Sequence, residues 1–320
     1  MKTFFIAFII TAAVILLLLF ILCGFIYNQL VWRKTVKIPA FITNLIAGNN
    51  MPDAYTKANM EAEKKLLSLP ISEIPMNAPD GERLIARVLV PEKSNGRLIL
   101  ACHGARSWGI GEFALISHYL YKNGYTLIMP DHRGCGNSGG KYMGYGTHES
   151  KDTFLWVNYA KQHFPGLDIF LLGVSMGGAT VLMMSPAAND SAIKGIIADC
   201  SYTSAWEEFS YQLKTSFHMP DFPILHICSL YSKIITGYSF KDASPLEAVK
   251  EAKKPILFIH GGKDDFVPTY MEKILYDACC TKKEMITVDN AVHARSYYTN
   301  PAVYEKAIES FMDKYSRIHK

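Results

Sequence analysis

A serine stands two residues from a glycine on either side in Gly173-Val174-Ser175-Met176-Gly177-Gly178, directly behind the apolar run Ile169-Phe170-Leu171-Leu172. The run reads as a buried strand, and residues 176–188 read as a helix opened by small side chains. Strand, tight turn with serine, and helix make a nucleophile elbow, which lifts a reactive Oγ to the carboxyl end of a sheet. Glycine is needed at 173 and 177 because a Cβ at either place would meet a neighbouring segment. A serine hydroxyl is a weak nucleophile at neutral pH, so it needs a base in hydrogen-bond reach and an acid to fix that base. Downstream, the apolar run 255–259 ends in His260, and the acidic pair Asp264-Asp265 follows in a loop. A last run, 284–288, is followed by a short loop carrying His293. The acid therefore follows one strand and the base the next, at the same sheet edge as Ser175. His260 is the rival base by proximity, but it closes a strand and is better suited to ordering the acid loop. Spacing alone leaves Asp264 and Asp265 both open as the acid.

A serine attack on a carbonyl builds negative charge on oxygen, which needs preorganised donors. The backbone N–H of Met176, at the start of the helix, is one candidate, aided by the positive end of the helix dipole. The second is expected in the loop His103-Gly104-Ala105-Arg106 that ends the apolar run 97–102, with Ala105 as donor. His103 is expected to be structural.

Taken together, His103-Gly104, the stretch from Asp131 to Gly140 (Asp-His-Arg-Gly-Cys-Gly-Asn-Ser-Gly-Gly), Gly173 to Gly178, His260 to Pro268 and His293 resemble the α/β-hydrolase superfamily of serine hydrolases, in motif order, over roughly residues 71–315. Small bacterial membrane-anchored hydrolases are similar in layout. The resemblance implies an α/β fold with a mostly parallel eight-stranded sheet flanked by helices, and a helical cap inserted after the sixth strand. It places the triad at Ser175, Asp264 and His293, since His-Gly-x-x-Asp-x-x-Val-Pro puts the acid at Asp264; Asp265 is the alternative. It implies oxyanion donors at Met176 and Ala105, and no metal or cofactor. Arg133 is expected to be an ion-pair partner rather than a substrate binder.

The elements that must position these groups alternate along the chain. Strands are expected at 73–76, 84–90, 98–102, 125–129, 169–174, 193–199, 255–259 and 284–288. Helices are expected at 112–123, 149–163, 176–188, 269–278 and 301–316. Such alternation gives a mostly parallel sheet covered on both faces, with a hairpin-like antiparallel edge at its start. The excursion 201–254 exceeds a one-helix crossover. It is crowded with aromatics, from Tyr202, Trp206 and Phe209 to Tyr238 and Phe240. These suit either the lining of an acyl pocket or the cap's own small core.

The amino terminus differs. Residues 4–27 hold no charge, long enough as a helix to cross a hydrocarbon core of ~30 Å. A cleaved signal has a shorter apolar region and a small-x-small site, which is not found here, so an uncleaved single-pass anchor is expected ahead of a signal or a buried helix. Arg33, Lys34 and Lys37 after the span favour a cytoplasmic domain, whereas the very short leading tail is the form of an exporting signal anchor; the face stays open. The division expected is an anchor at 1–35, a connector at 36–70 with a helix near 54–67, and a hydrolase domain at 71–320 with its cap at about 201–254. The anchor is expected to be separable from the chemistry.

Net charge is +4 with 19% charged residues, and no basic patch interleaved with aromatics points to nucleic acid. Seven cysteines form neither a paired framework nor, with the histidines, metal-ligand spacing. The expected reaction is hydrolysis of a carboxylic ester through an acyl-enzyme on Ser175. Its partners would be a small-molecule ester or acyl substrate and the membrane that holds the anchor. Thioesterase, lipase and peptidase chemistry use the same triad, and a non-catalytic membrane-tethered binding protein on this fold is the contrasting class.

Overall fold

A computed structural model describes residues 2–33 and 53–317. Eight strands form one sheet: β1 (Ser72–Asn77), β2 (Arg83–Leu89), β3 (Arg97–Cys102), β4 (Thr126–Asp131), β5 (Asp168–Val174), β6 (Ile193–Asp199), β7 (Ile256–Gly261) and β8 (Lys283–Val288). Their order is β1-β2-β4-β3-β5-β6-β7-β8. β1 pairs antiparallel with β2 and β2 antiparallel with β4; every later pairing is parallel. The sheet is therefore mixed at one edge, as the hairpin-like start suggested.

The helices are α1 (Lys2–Val31), α2 (Ala54–Leu67), α3 (Gly109–Lys122), α4 (Glu149–His163), α5 (Met176–Met183), α6 (Ala205–Thr215), α7 (Ile224–Thr236), α8 (Pro245–Val249), α9 (Tyr270–Ala278), α10 (Ser296–Thr299) and α11 (Pro301–Tyr315). β3, β4, β5 and β7 are buried along their whole length because helices cover both faces, which is why they read as continuous apolar runs. One face packs on Phe113, Ile308 and Phe311 of α3 and α11. The other packs on Trp156, Leu182 and Leu275 of α4, α5 and α9.

Two differences from the sequence reading have local causes. α5 stops at Met183 rather than 188, because Pro186 lacks an N–H and disfavours helical backbone at Ser185. The short α10 between β8 and α11 was not foreseen; it is a single turn with no periodicity to read.

The insertion between β6 and β7 folds into α6, α7 and α8. Ser204 caps α6 by accepting from Glu207 N–H, and α7 ends at Gly237 in the left-handed conformation. A third apolar cluster joins this cap to the sheet: Phe209, Leu225 and Phe240 pack with Met176 and with Cys23, Tyr27 and Val31 of α1. The cap aromatics divide accordingly. Tyr202, Phe209 and Phe217 line a cavity, whereas Phe240 is buried in cap packing.

Among the described residues, α1 alone is long and apolar enough to cross a membrane. Its outer turns are bare, with Phe4 82% exposed. Cys23, Tyr27 and Val31, spaced four apart on one helix face, are buried against the cap. The apolar helix is thus docked on the folded domain at its last turns, a contact that the expectation of a separable anchor did not include. Residues 34–52, the end of the anchor and the first part of the connector, lie outside the described part, and α2 matches the expected helix.

Candidate active site

The carboxyl ends of β3, β5, β7 and β8 converge on one point. Ser175 follows β5 with φ 54° and ψ −117°, a conformation L-residues rarely hold. Two close approaches enforce it. A Cβ on Gly173 would lie 2.1 Å from the Gly177 carbonyl oxygen, and one on Gly177 would lie 1.8 Å from that of Cys102. The N–H of Ser175 donates to the Asp199 carbonyl at 2.8 Å, tying the elbow to β6.

His293, in the loop after β8, places Nε2 3.0 Å from Ser175 Oγ. Its Nδ1 lies 2.8 Å from Asp264 Oδ2. The other oxygen of Asp264 accepts from the N–H groups of Phe266 and Val267, at 3.0 and 2.9 Å. Burial opposes the charge on Asp264, but hydrogen bonds from His260 and His293 outweigh it and hold the carboxyl down at about 2. Asp265 is exposed and outside this network. Of the two acids that spacing left open, Asp264 is the one within hydrogen-bond reach of His293. His260 is fully buried, 2.8 Å from the Val267 carbonyl oxygen and 3.3 Å from Asp264 Oδ2 through Nε2. It orders the acid loop, as its strand-end position suggested.

The arrangement can pass a proton from Ser175 Oγ to His293 while ionised Asp264 fixes the ring and steadies the imidazolium. The Sγ of buried Cys200, with Asp264 and His293, gathers potential ligand atoms within 4.8 Å. Burial raises the Cys200 thiol well above its usual range, so it stays protonated, and the other two groups already satisfy each other.

The loop after β3 brings Gly104 and Ala105 to the cavity beside Ser175 and Met176. Met176 opens α5, so its N–H belongs to the first turn, where no intrahelical acceptor exists. His132 N–H donates to His103 Nε2 at 2.8 Å, which leaves the His103 proton on Nδ1, 2.6 Å from the Gly104 carbonyl. His103 therefore holds the loop, as expected. Gly104 N–H donates to Glu112 Oε2 at 3.2 Å. Arg133 makes two bonds to Asp152, at 2.6 and 2.7 Å, and one to Asp80 at 2.8 Å, confirming a structural ion pair.

Ser175 and His293 open into a cavity of about 730 Å³ walled mainly by apolar side chains. Three of its features were not legible in the sequence. Glu208 of α6 lines it yet is 4% exposed, and Oε2 of that carboxyl has no hydrogen-bond partner among the described residues. Burial pushes its pKa up to about 8, only partly offset by Gln212, so the acid is neutral at pH 7. Gln212 Nε2 bridges Glu208 at 3.2 Å and the Phe266 carbonyl at 2.6 Å. Phe25, Ile26, Gln29 and Leu30 of α1 form part of the wall. The one signal available for Glu208 was its place as the second of the pair Glu207-Glu208, four residues before Gln212 and amid cap aromatics.

Comparison with known proteins bears on the family and the fold. The family described as serine aminopeptidase, S33, matches residues 93–222. The uncharacterized protein YqkD of Bacillus subtilis is 32% identical over 217 residues, 67% of this chain and 70% of that protein. Human monoglyceride lipase is 32% identical over 120 residues, 36% of this chain and 39% of the lipase. Among solved structures, an esterase of Pyrococcus furiosus superposes with a TM-score of 0.62 at 22% identity, covering 78% of this chain and 95% of the esterase.

Proposed function

The chain belongs to the α/β-hydrolase superfamily and is a serine hydrolase of esterase- or lipase-like kind, and on that premise we propose that it cleaves neutral carboxylic esters through an acyl-enzyme on Ser175. His293 is the general base and then the acid; Asp264 orients it; the N–H groups of Met176 and Ala105 hold the oxyanion. The observation that carries the reading is the chain of hydrogen bonds from Ser175 through His293 to Asp264, at 3.0 and 2.8 Å, opening onto a mainly apolar cavity.

An ester substrate is preferred over a peptide for a physical reason. Recognition of an amino-terminal ammonium needs a counter-charge; of the two carboxyls in the wall, Glu208 is held neutral by desolvation and Glu112 is engaged by the Gly104 N–H. Human monoglyceride lipase, by its name an ester-cleaving relative, supports the same choice. We divide the chain into an anchor at 1–35 that fixes it to a membrane by a single pass, a connector at 36–70, and a hydrolase domain at 71–320 with its cap at about 201–254.

Stopped-flow hydrolysis of p-nitrophenyl butyrate by the full chain in detergent micelles tests the reading. A burst of nitrophenol, with a butyryl adduct on the peptide holding Ser175 by mass spectrometry, is expected. Folded protein that gives neither burst nor turnover with this ester, its thioester or a peptide amide would reject it.

A further inference from the structure

The last turns of α1 are held to the catalytic domain by more than packing. Tyr145 Oη donates to the Leu30 carbonyl at 2.7 Å, and Met143 N–H donates to that of Val31 at 2.9 Å. Arg106, next to Ala105, donates to the Gln29 and Leu30 carbonyls from Nη2. These are the end carbonyls that a helix leaves without internal partners, and here donors of the domain satisfy them. Arg106 also sets a cation at the negative end of the helix dipole. Higher up, Cys228 Sγ reaches the Cys23 carbonyl at 3.4 Å, and Tyr231 Oη reaches that of Phe20 at 3.2 Å.

The same turns face the cavity that holds Ser175, with Ile26 and Leu30 in its wall. Three aromatics both line the cavity and remain substantially exposed: Phe25 of α1, at 40%, Phe217 of the cap, at 66%, and Phe266 of the acid loop, at 50%. The cavity therefore reaches the surface beside His293, at Phe266, and at a mouth where α1 and the cap contribute Phe25 and Phe217. Beside it, α7 leaves Leu230 and Ile234 exposed, four residues apart on one face, at 53% and 71%. Above the docked turns, α1 makes no packing contact with the cap cluster from Thr3 to Leu18, about 24 Å at 1.5 Å per residue, most of the ~30 Å hydrocarbon thickness of a bilayer. Burying that stretch in a bilayer would bring the docked turns, the mouth and the apolar α7 face to the membrane surface.

We infer that the membrane helix is one wall of the acyl site, and that this site takes long single-chain acyl esters directly from the bilayer through the mouth between α1 and the cap. The inference rests on the acyl-transfer role proposed for Ser175 and extends it to a substrate class. The volume exceeds what a short acyl group would fill. Each methylene buried against the wall contributes roughly fourfold in affinity, so a side chain from α1 that intrudes on the cavity must change chain-length preference.

The test uses the full chain in phosphatidylcholine nanodiscs, with p-nitrophenyl butyrate and dodecanoate as substrates. Ile26→Trp and Leu30→Trp are each expected to lower the dodecanoate-to-butyrate ratio of kcat/KM at least tenfold, while Ile15→Trp, on the exposed face of α1, leaves the ratio unchanged. A parallel measurement in the Ser175→Ala background follows binding of a fluorescent long-chain fatty acid, which needs no turnover; weaker binding with either wall variant supports the wall even where wild type hydrolyses neither ester, and only the ester reading then falls. An unchanged ratio together with unchanged fatty-acid binding in both wall variants, each folded by circular dichroism, would overturn the inference.

Discussion

Gly177 lies so close to Cys102 that a Cβ there would stand 1.8 Å from the Cys102 carbonyl oxygen. The contact joins the elbow after β5 to the end of β3, the strand whose following loop carries Ala105. One glycine thus sets the spacing between the Ser175 elbow and the loop that carries Ala105, the proposed second oxyanion donor.

Gly177→Ala must push these two segments apart. It is expected to cost about 3 kcal/mol, in the upper range for overpacking a buried site. The corresponding fall in melting temperature is roughly 6–12 °C. Ester hydrolysis is expected to fall by about a hundredfold or more, since a displacement near 1 Å is enough for that. A melt and rate equal to wild type would show that the elbow tolerates the extra carbon.

Asp264→Asn leaves the shape but removes the charge that fixes His293, and kcat is expected to fall by about 10⁴. Asp265→Asn, at an exposed carboxylate, is expected to stay within about threefold. Rates for the two variants with one soluble ester decide between them; the reverse order would move the acid to Asp265. Asp264 also predicts an acid limit. Its folded pKa of about 2 lies below the ordinary 3.8, so its contribution is complete above pH 3.8 and lost as pH falls toward 2. Wild type should lose more stability than Asp264→Asn over that window in urea melts at stepped pH.

The elements that form the site were legible where sequence and local physics coincide. Ser175 announced itself because the glycines at 173 and 177, needed for close approach, bracket it between an apolar strand and a helix. His293 was found because a short loop after the last strand leaves few alternatives. The choice between Asp264 and Asp265 was not local: it depends on which carboxyl meets the N–H groups of Phe266 and Val267 and the ring of His260. The end of α5 was overrun because small apolar residues continue through Ala188, while Pro186 ends the helix earlier. The docking of α1 was hidden for a deeper reason. An apolar helix carries the same pattern whether lipid or protein covers it, and Tyr27, Asn28 and Gln29 in the turns that meet the cap read equally well as the interfacial end of a membrane span.

Glu208 predicts a rise in stability with a neutral replacement at alkaline pH. Its pKa is raised by burial to about 8, facing Gln212, Asp264 and His260. Between the unfolded value near 4.5 and about 8, the folded state holds a proton that the unfolded chain releases, so wild type loses stability as pH rises through this window. Glu208→Gln escapes that loss. Its melting temperature relative to wild type is expected to be higher by roughly 4 °C or more at pH 8.5 than at pH 5, about 1–2 kcal/mol for a domain of this size. A difference that is flat from pH 5 to 8.5 would mean that Glu208 is ionised in the fold.

The central claim is that Ser175 is an activated nucleophile. A fluorophosphonate reacts covalently with such a serine and leaves an ordinary hydroxyl unmodified. Full-length protein treated with the probe and analysed by peptide mass spectrometry is expected to carry one phosphonate on the peptide holding Ser175, and to lose the adduct in both Ser175→Ala and His293→Ala. Folded wild-type protein that takes up no probe, or labelling that survives Ser175→Ala, would contradict it.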